Sequence, residues 1–237
     1  MNELREPKFA GEGSSDYEVY IRTDELLVLQ PEPETWKHRD ELLFTVVHQS
    51  SELWLKLAVA EIDYAMLNIS QNSLQAACRY LVRARDCISY TSAQLPMLEK
   101  MTPWDYQHVR TALGHGSGFD SPGFRNLRSS LEELVESVRS ALGRSQLSLE
   151  DLYLRVEDNE ALYALVELLV DMDEALMIWR SVHVKVIERT IGGTVSGTQG
   201  TPVEVVRNLR DRSIMEELWE VRVDLTDRAN RELATDG

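Results

Sequence analysis

The sequence predicts an all-α fold, one domain built on long antiparallel helices. Three observations carry this. Apolar residues recur at helical spacing over long segments. The twelve glycines and seven prolines gather in short breaks between those segments. No stretch alternates apolar and polar residues with the period of a strand, and no repeat or linker divides residues 1–237. With 43% hydrophobic residues, 237 residues suffice for one sizeable core.

The elements follow in order. Residues 1–16 read as a loose N-terminal segment. "YEVYIRTDELLVLQ", residues 17–30, reads as a short helix, and "PEPETWKH" breaks it. Asp40 is placed to cap a helix running to about Ser70. Its first half is apolar nearly all round, which predicts burial there. Residues 74–100 read as a second long helix. In "MTPWDYQHVRTALG" Thr102 is the N-cap, Pro103 fills the first turn, Asp105 faces the positive end and Gly114 is the stop. "GHGSGFDSPGF" is a glycine-rich loop, followed by a helix to about Leu142. Ser148 and Asp151 open another. A long helix runs from about Glu160 to Ile191, and Gly192–Gly193 end it. "GGTVSGTQGTP" is a flexible loop. In the tail, Ser213 and Glu216 have the spacing of a capping box.

Charge excludes several functions. The net charge is -15 and the pI about 4.8, so nucleic acid and anionic membrane are poor partners, because phosphate neutralisation needs a basic face. The first twenty residues show no apolar signal core, and no run of 18 apolar residues exists. Cys78 and Cys87 lie about 13 Å apart at helical rise, too far to bridge. A cytoplasmic protein with reduced thiols is expected.

Two of the five histidines stand out. His38, His108 and His115 fall in breaks or polar settings, and His38 and His108 are expected to be solvated. His48 and His183 sit within long apolar helices, which tolerate an imidazole only where its nitrogens find partners. Each is either a hydrogen-bonded core histidine or a ligand. Zinc-type spacings, CxxCH, GxSxG, P-loop and GxGxxG motifs are all missing. A b-type haem needs only one axial histidine and an apolar slot, so it remains open. Tyr106 and Arg110, four apart on one helix face, form either a carboxylate clamp or a stacked surface pair. The 192–201 loop could close over a ligand.

Together "DELLFTVVHQSSELWLKL", "MTPWDYQHVRTALGHGSGFDSPGFR" and "WRSVHVKVIERTIGG" resemble three blocks of the tryptophan 2,3-dioxygenases, and "DYEVYIRTDELLVLQ" resembles that family's N-terminal segment. The resemblance implies a helical bundle enclosing haem b, a homotetramer, and a dioxygenase that opens the indole C2–C3 bond of L-tryptophan with dioxygen to give N-formylkynurenine. By similarity His183 is the iron ligand and His48 the distal residue that accepts the substrate indole N–H. Phe44 lines the indole pocket, and Tyr106 and Arg110 hold the carboxylate. Thr198 contacts the amino-acid backbone. Ser117 and Gly118 lie beside the haem. Tyr17 and Tyr20 reach a neighbouring subunit's site. The segment between Arg125 and Asp171 is shorter than in typical members, which implies missing peripheral helices. Asp120 stands where a glutamine is usual, and the "GTQGTP" loop is altered. The alternatives are a monooxygenase of a substituted indole and a non-catalytic haem sensor.

Overall fold

Two short helices, α1 (Asp16–Ile21) and α2 (Thr23–Leu27), begin the chain in the computed structural model, which describes residues 13, 15–114, 116, 118–194, 203–210 and 212–235. The single helix expected over 17–30 is broken at Arg22, which is left-handed at φ 60°. Neither helix buries a residue, so no packing holds one continuous helix through this stretch. Beyond α2, Gln30 Nε2 donates to Gln49 Oε1 at 2.6 Å and Gln49 Nε2 donates to the Leu29 carbonyl, which ties the arm to the next helix.

That helix is α3 (Glu41–Ser70). Asp40 stands at its N-cap but its side chain makes no cap bond; Glu41 accepts instead from the backbone N–H groups of Lys37 and His38. Val47, Leu55, Ala58, Ile62, Ala65 and Ile69 form its buried stripe. The first half is not covered on all sides as expected: Val46 is 47% exposed and Leu53 54%. α4 (Leu74–Gln94) ends six residues short of the expected Lys100, because Pro96 has no N–H to continue the ladder and Leu95–Lys100 tighten into a 3-10 turn. α5 (Pro103–Ala112) is capped as expected, with Thr102 Oγ1 accepting from Asp105 N–H at 3.1 Å. α6 (Pro122–Ser145), α7 (Leu149–Leu154, capped by Ser148), α8 (Glu160–Thr190), α9 (Val203–Asn208) and α10 (Glu217–Thr235) complete the described helices. Among the described residues there is no strand, and no helix is long and apolar enough to cross a membrane.

α3 and α4 are joined by three residues, with Asn72 left-handed at φ 56°, and lie along one another as an antiparallel pair. α6 packs on α3, and α8 on α4. Leu55, Ile62 and Ile69 of α3, Leu81 and Ile88 of α4, Leu127 and Leu134 of α6, and Leu165, Leu169 and Met172 of α8 fill the core between them. Ser213 does not form a capping box. Its hydroxyl donates to Asp173 on α8 at 2.6 Å, and the Ile214 N–H and Trp219 indole N–H donate to the same carboxylate at 3.2 and 2.7 Å. Asp173 thereby fastens the start of the last helix to α8.

Candidate active site

At one end of the bundle a second apolar cluster gathers Leu43, Phe44 and Val47 of α3, Leu95 and Leu98, Tyr106 and Val109 of α5, and Trp179, Val182 and Val186 of α8. Here α3 and α8 make little direct contact, and the 95–101 segment and α5 bridge them. Two of its aromatic residues each stack on a histidine, Phe44 on His48 of α3 and Trp179 on His183 of α8.

His48 stacks on Phe44, ring centroids 3.9 Å apart, because the two lie one helical turn apart on α3. Its Nδ1 is 2.7 Å from the Phe44 carbonyl. A carbonyl only accepts, so Nδ1 carries the proton and Nε2 keeps its lone pair. Burial of the ring lowers the His48 pKa, against the Phe44 bond and the Glu52 charge, which raise it. His48 is therefore a neutral acceptor at neutral pH. The residue is nonetheless exposed, where the sequence predicts burial, because its side of α3 is left uncovered beside the exposed Val46.

His183 lies on α8 beside the same apolar cluster, stacked on its Trp179. Burial first, and then the His48 charge, push its pKa down to about 4. Trp179, one turn earlier, lies face to face with His183 at 4.8 Å and 20°. A neutral imidazole with an apolar surround suits an iron porphyrin, whose axial ligand must offer a lone pair.

Tyr106 joins the cluster from α5, 6.4 Å from Phe44, and the nearby Arg110 guanidinium offsets part of the rise that burial imposes on its phenol. The segment before α3 clamps α5 at both ends. Lys37 Nζ donates to the Thr111 carbonyl at 3.1 Å, and His38 Nε2 lies 3.4 Å from Asp105. His38 and His108 stack at 5.8 Å; His108 is exposed as expected, whereas His38 is half-buried. His38, Asp40 and Asp105 lie close enough to suggest a cation site. However, the Asp40 N–H donates to His38 Nδ1, the Thr102 hydroxyl donates to Asp105, and both acids stand at positive helix ends, so the trio reads as a tie.

Of the sequence-derived site residues, Phe44 and Tyr106 belong to this cluster, His48 and His183 stack on its aromatic rings, and Arg110 lies near Tyr106. Gly118 lies in a 3-10 turn before α6. Tyr17 and Tyr20 are 69% and 76% exposed on α1. Ser117 and Thr198 lie outside the described residues. Trp179 is the contributor missed in sequence; its position four residues before His183 was the available signal.

These features define an all-α protein with an apolar cluster whose aromatic residues stack on two histidines from different helices. The chain belongs to the tryptophan 2,3-dioxygenase family, whose model matches residues 3–145. Proteins named tryptophan 2,3-dioxygenase from Caulobacter vibrioides, Bacillus thuringiensis and Shewanella woodyi are 32%, 29% and 27% identical to it. Each alignment covers 88% of this chain and 98%, 92% and 90% of those relatives. The alignments run to 259 or 260 positions, more than the chain's 237 residues, so the relatives carry segments that it lacks.

Proposed function

We propose that this chain is a haem-dependent dioxygenase that converts L-tryptophan to N-formylkynurenine. Haem b, with its iron on His183, would supply the activation of dioxygen. The residues around it bind and orient the substrate. Arg110 takes the carboxylate through a charge-assisted bidentate pair, with the Tyr106 phenol as a second donor. Phe44 offers a flat apolar face to the indole. His48 accepts the indole N–H at Nε2, which orients the C2–C3 bond without removing the proton.

The observation that carries this reading is the 2.7 Å approach of His48 Nδ1 to the Phe44 carbonyl, which requires Nδ1 to donate and leaves Nε2 as an acceptor beside the stacked Phe44 ring. The test is turnover of L-tryptophan by the ferrous protein in ¹⁸O₂. Both labelled atoms should enter one ring-opened product. A product with one labelled atom would make this a monooxygenase; a Soret band with no turnover would make it a sensor.

The same reading extends to assembly. Val46, Leu53, Leu57, Tyr64 and Leu67 leave an exposed apolar stripe along α3, at the spacing of a helix–helix seam, which supports a homotetramer. The exposed Tyr17 and Tyr20 suit reach into a neighbour, and residues 1–237 act as one helical domain. The free Cys78 and Cys87 are in keeping with the cytoplasm.

A further inference from the structure

We propose that Glu52 is a positioning residue that ties the His48 helix to the aromatic stack on His183. Glu52 lies one turn beyond His48 on α3, and its carboxylate reaches across to the start of α6. The Ser121 hydroxyl donates to Oε1, and the Gly123 N–H donates to Oε2 at 2.8 Å. Ser121 Oγ accepts in turn from the Phe124 N–H at 3.1 Å. The first turn of α6 is thus capped twice, once by its own serine and once by a carboxylate from another helix.

The approach is close because residue 123 is glycine. A Cβ there would stand 2.6 Å from Glu52 Oε2 and 2.9 Å from Leu55 Cδ1. A side chain at 123 would have to displace the Glu52 carboxylate or the Leu55 side chain.

The next residue carries the contact across the molecule. The Phe124 ring lies 4.1 Å from Trp179, tilted by 41°, and Trp179 is the ring stacked on His183. One continuous path therefore runs from the His48 helix through Glu52, Gly123, Phe124 and Trp179 to His183. In this role Glu52 touches neither substrate nor iron; it fixes where Phe124 presses on Trp179, and so the plane of the His183 ring. Partners of this kind typically change metal affinity by about 10- to 100-fold when removed.

The importance of that ring rests on His183 as the iron ligand, but the path itself is testable without haem. The full-length chain labelled with 5-fluorotryptophan has five tryptophans, and Trp179→Phe assigns the Trp179 signal in its ¹⁹F spectrum. Glu52→Ala should move the Trp179 signal more than those of Trp36, Trp104 and Trp219. Glu52→Gln, which can still accept from Gly123, should return it to the wild-type position. Asp173→Ala is the control for loss of stability alone and should move Trp219, its direct partner, but not Trp179. In the haem-loaded protein, Glu52→Ala should release haem to apomyoglobin about tenfold faster. If Glu52→Ala does not fold, Ser121→Ala should give the same displacement at smaller size. An unmoved Trp179 signal in Glu52→Ala and Ser121→Ala overturns the proposal, as does an equal displacement in Asp173→Ala or no rescue by Glu52→Gln. Failure of the haem reading would show separately, as a wild-type chain without a Soret band.

Discussion

Trp179 and His183 stack face to face one turn apart on α8, with ring centroids 4.8 Å apart and 20° between planes. The indole limits the imidazole to few orientations and keeps water from one of its faces. Burial holds the ring neutral. A residue whose lone pair is available and whose plane is fixed before a metal arrives has the properties of an axial ligand.

His183→Ala should therefore abolish stable haem binding. The absorption spectrum of the purified protein checks this, as Soret absorbance per protein. Full Soret intensity in the variant would move the ligand role elsewhere, with His48 first in line.

Arg110→Ala should weaken tryptophan binding. Losing a charge-assisted bidentate pair in a partly dry pocket costs about 2–4 kcal/mol, or about 30- to 1000-fold in kcat/KM. The loss should fall mostly on KM, because the carboxylate is held alike before and during the reaction. A change below threefold would show that the carboxylate is held elsewhere.

Much of this site was legible in the sequence, for an energetic reason. An imidazole inside an apolar helix is costly unless it has a task, so His48 and His183 stood out from surroundings that should contain none. The long helices were equally plain, since each carries an apolar stripe between strong stop signals. The break at Arg22 was hidden because that stretch buries nothing, and periodicity reports burial. The end of α4 could have been read from Pro96. Glu52, Asp173 and Ser213 had no local signal at all. Their partners lie 40 or more residues away, and an acid or a serine on a helix looks the same whether it faces water or a distant amide.

Deleting residues 1–22 should leave haem bound but lower activity and loosen the oligomer. Tyr17 and Tyr20 are exposed within their own chain, while Gln49 secures the arm only from Leu29 and Gln30 onward. Light scattering and steady-state kinetics on the truncated chain check this. Full activity at unchanged mass would count against a shared site.

Acid should destabilise the haem-free chain through His183. The folded pKa is about 4 against 6.5 for an ordinary histidine, so the unfolded chain binds the proton more readily. The contribution is complete above about pH 6.5 and is lost as pH falls from there toward 4. It amounts to at most about 3 kcal/mol. Urea unfolding at several pH values should show this slope in the wild type and a flatter one in His183→Phe. Parallel curves would remove His183 as the cause.

Asp173 offers the clearest test of how the tail is held. It is 1% exposed and accepts three hydrogen bonds, from the Ser213 hydroxyl, the Ile214 N–H and the Trp219 indole. Asp173→Ala leaves those donors in a place that water reaches poorly, and each orphaned donor carries a desolvation cost. The expected loss is about 3 kcal/mol, a drop of about 6–12 °C in Tm for a chain of this size. Asp173→Asn keeps one acceptor oxygen and should lose about half as much. Because Asp173 touches neither Phe44, Tyr106, His48 nor His183, KM for tryptophan should stay within twofold of wild type at a temperature where the variant is folded. A loss below 1 kcal/mol in Asp173→Ala would mean that α10 is held by its other tie, in which Arg222 pairs with Glu167 at 2.7 Å and donates to the Tyr153 hydroxyl at 3.0 Å.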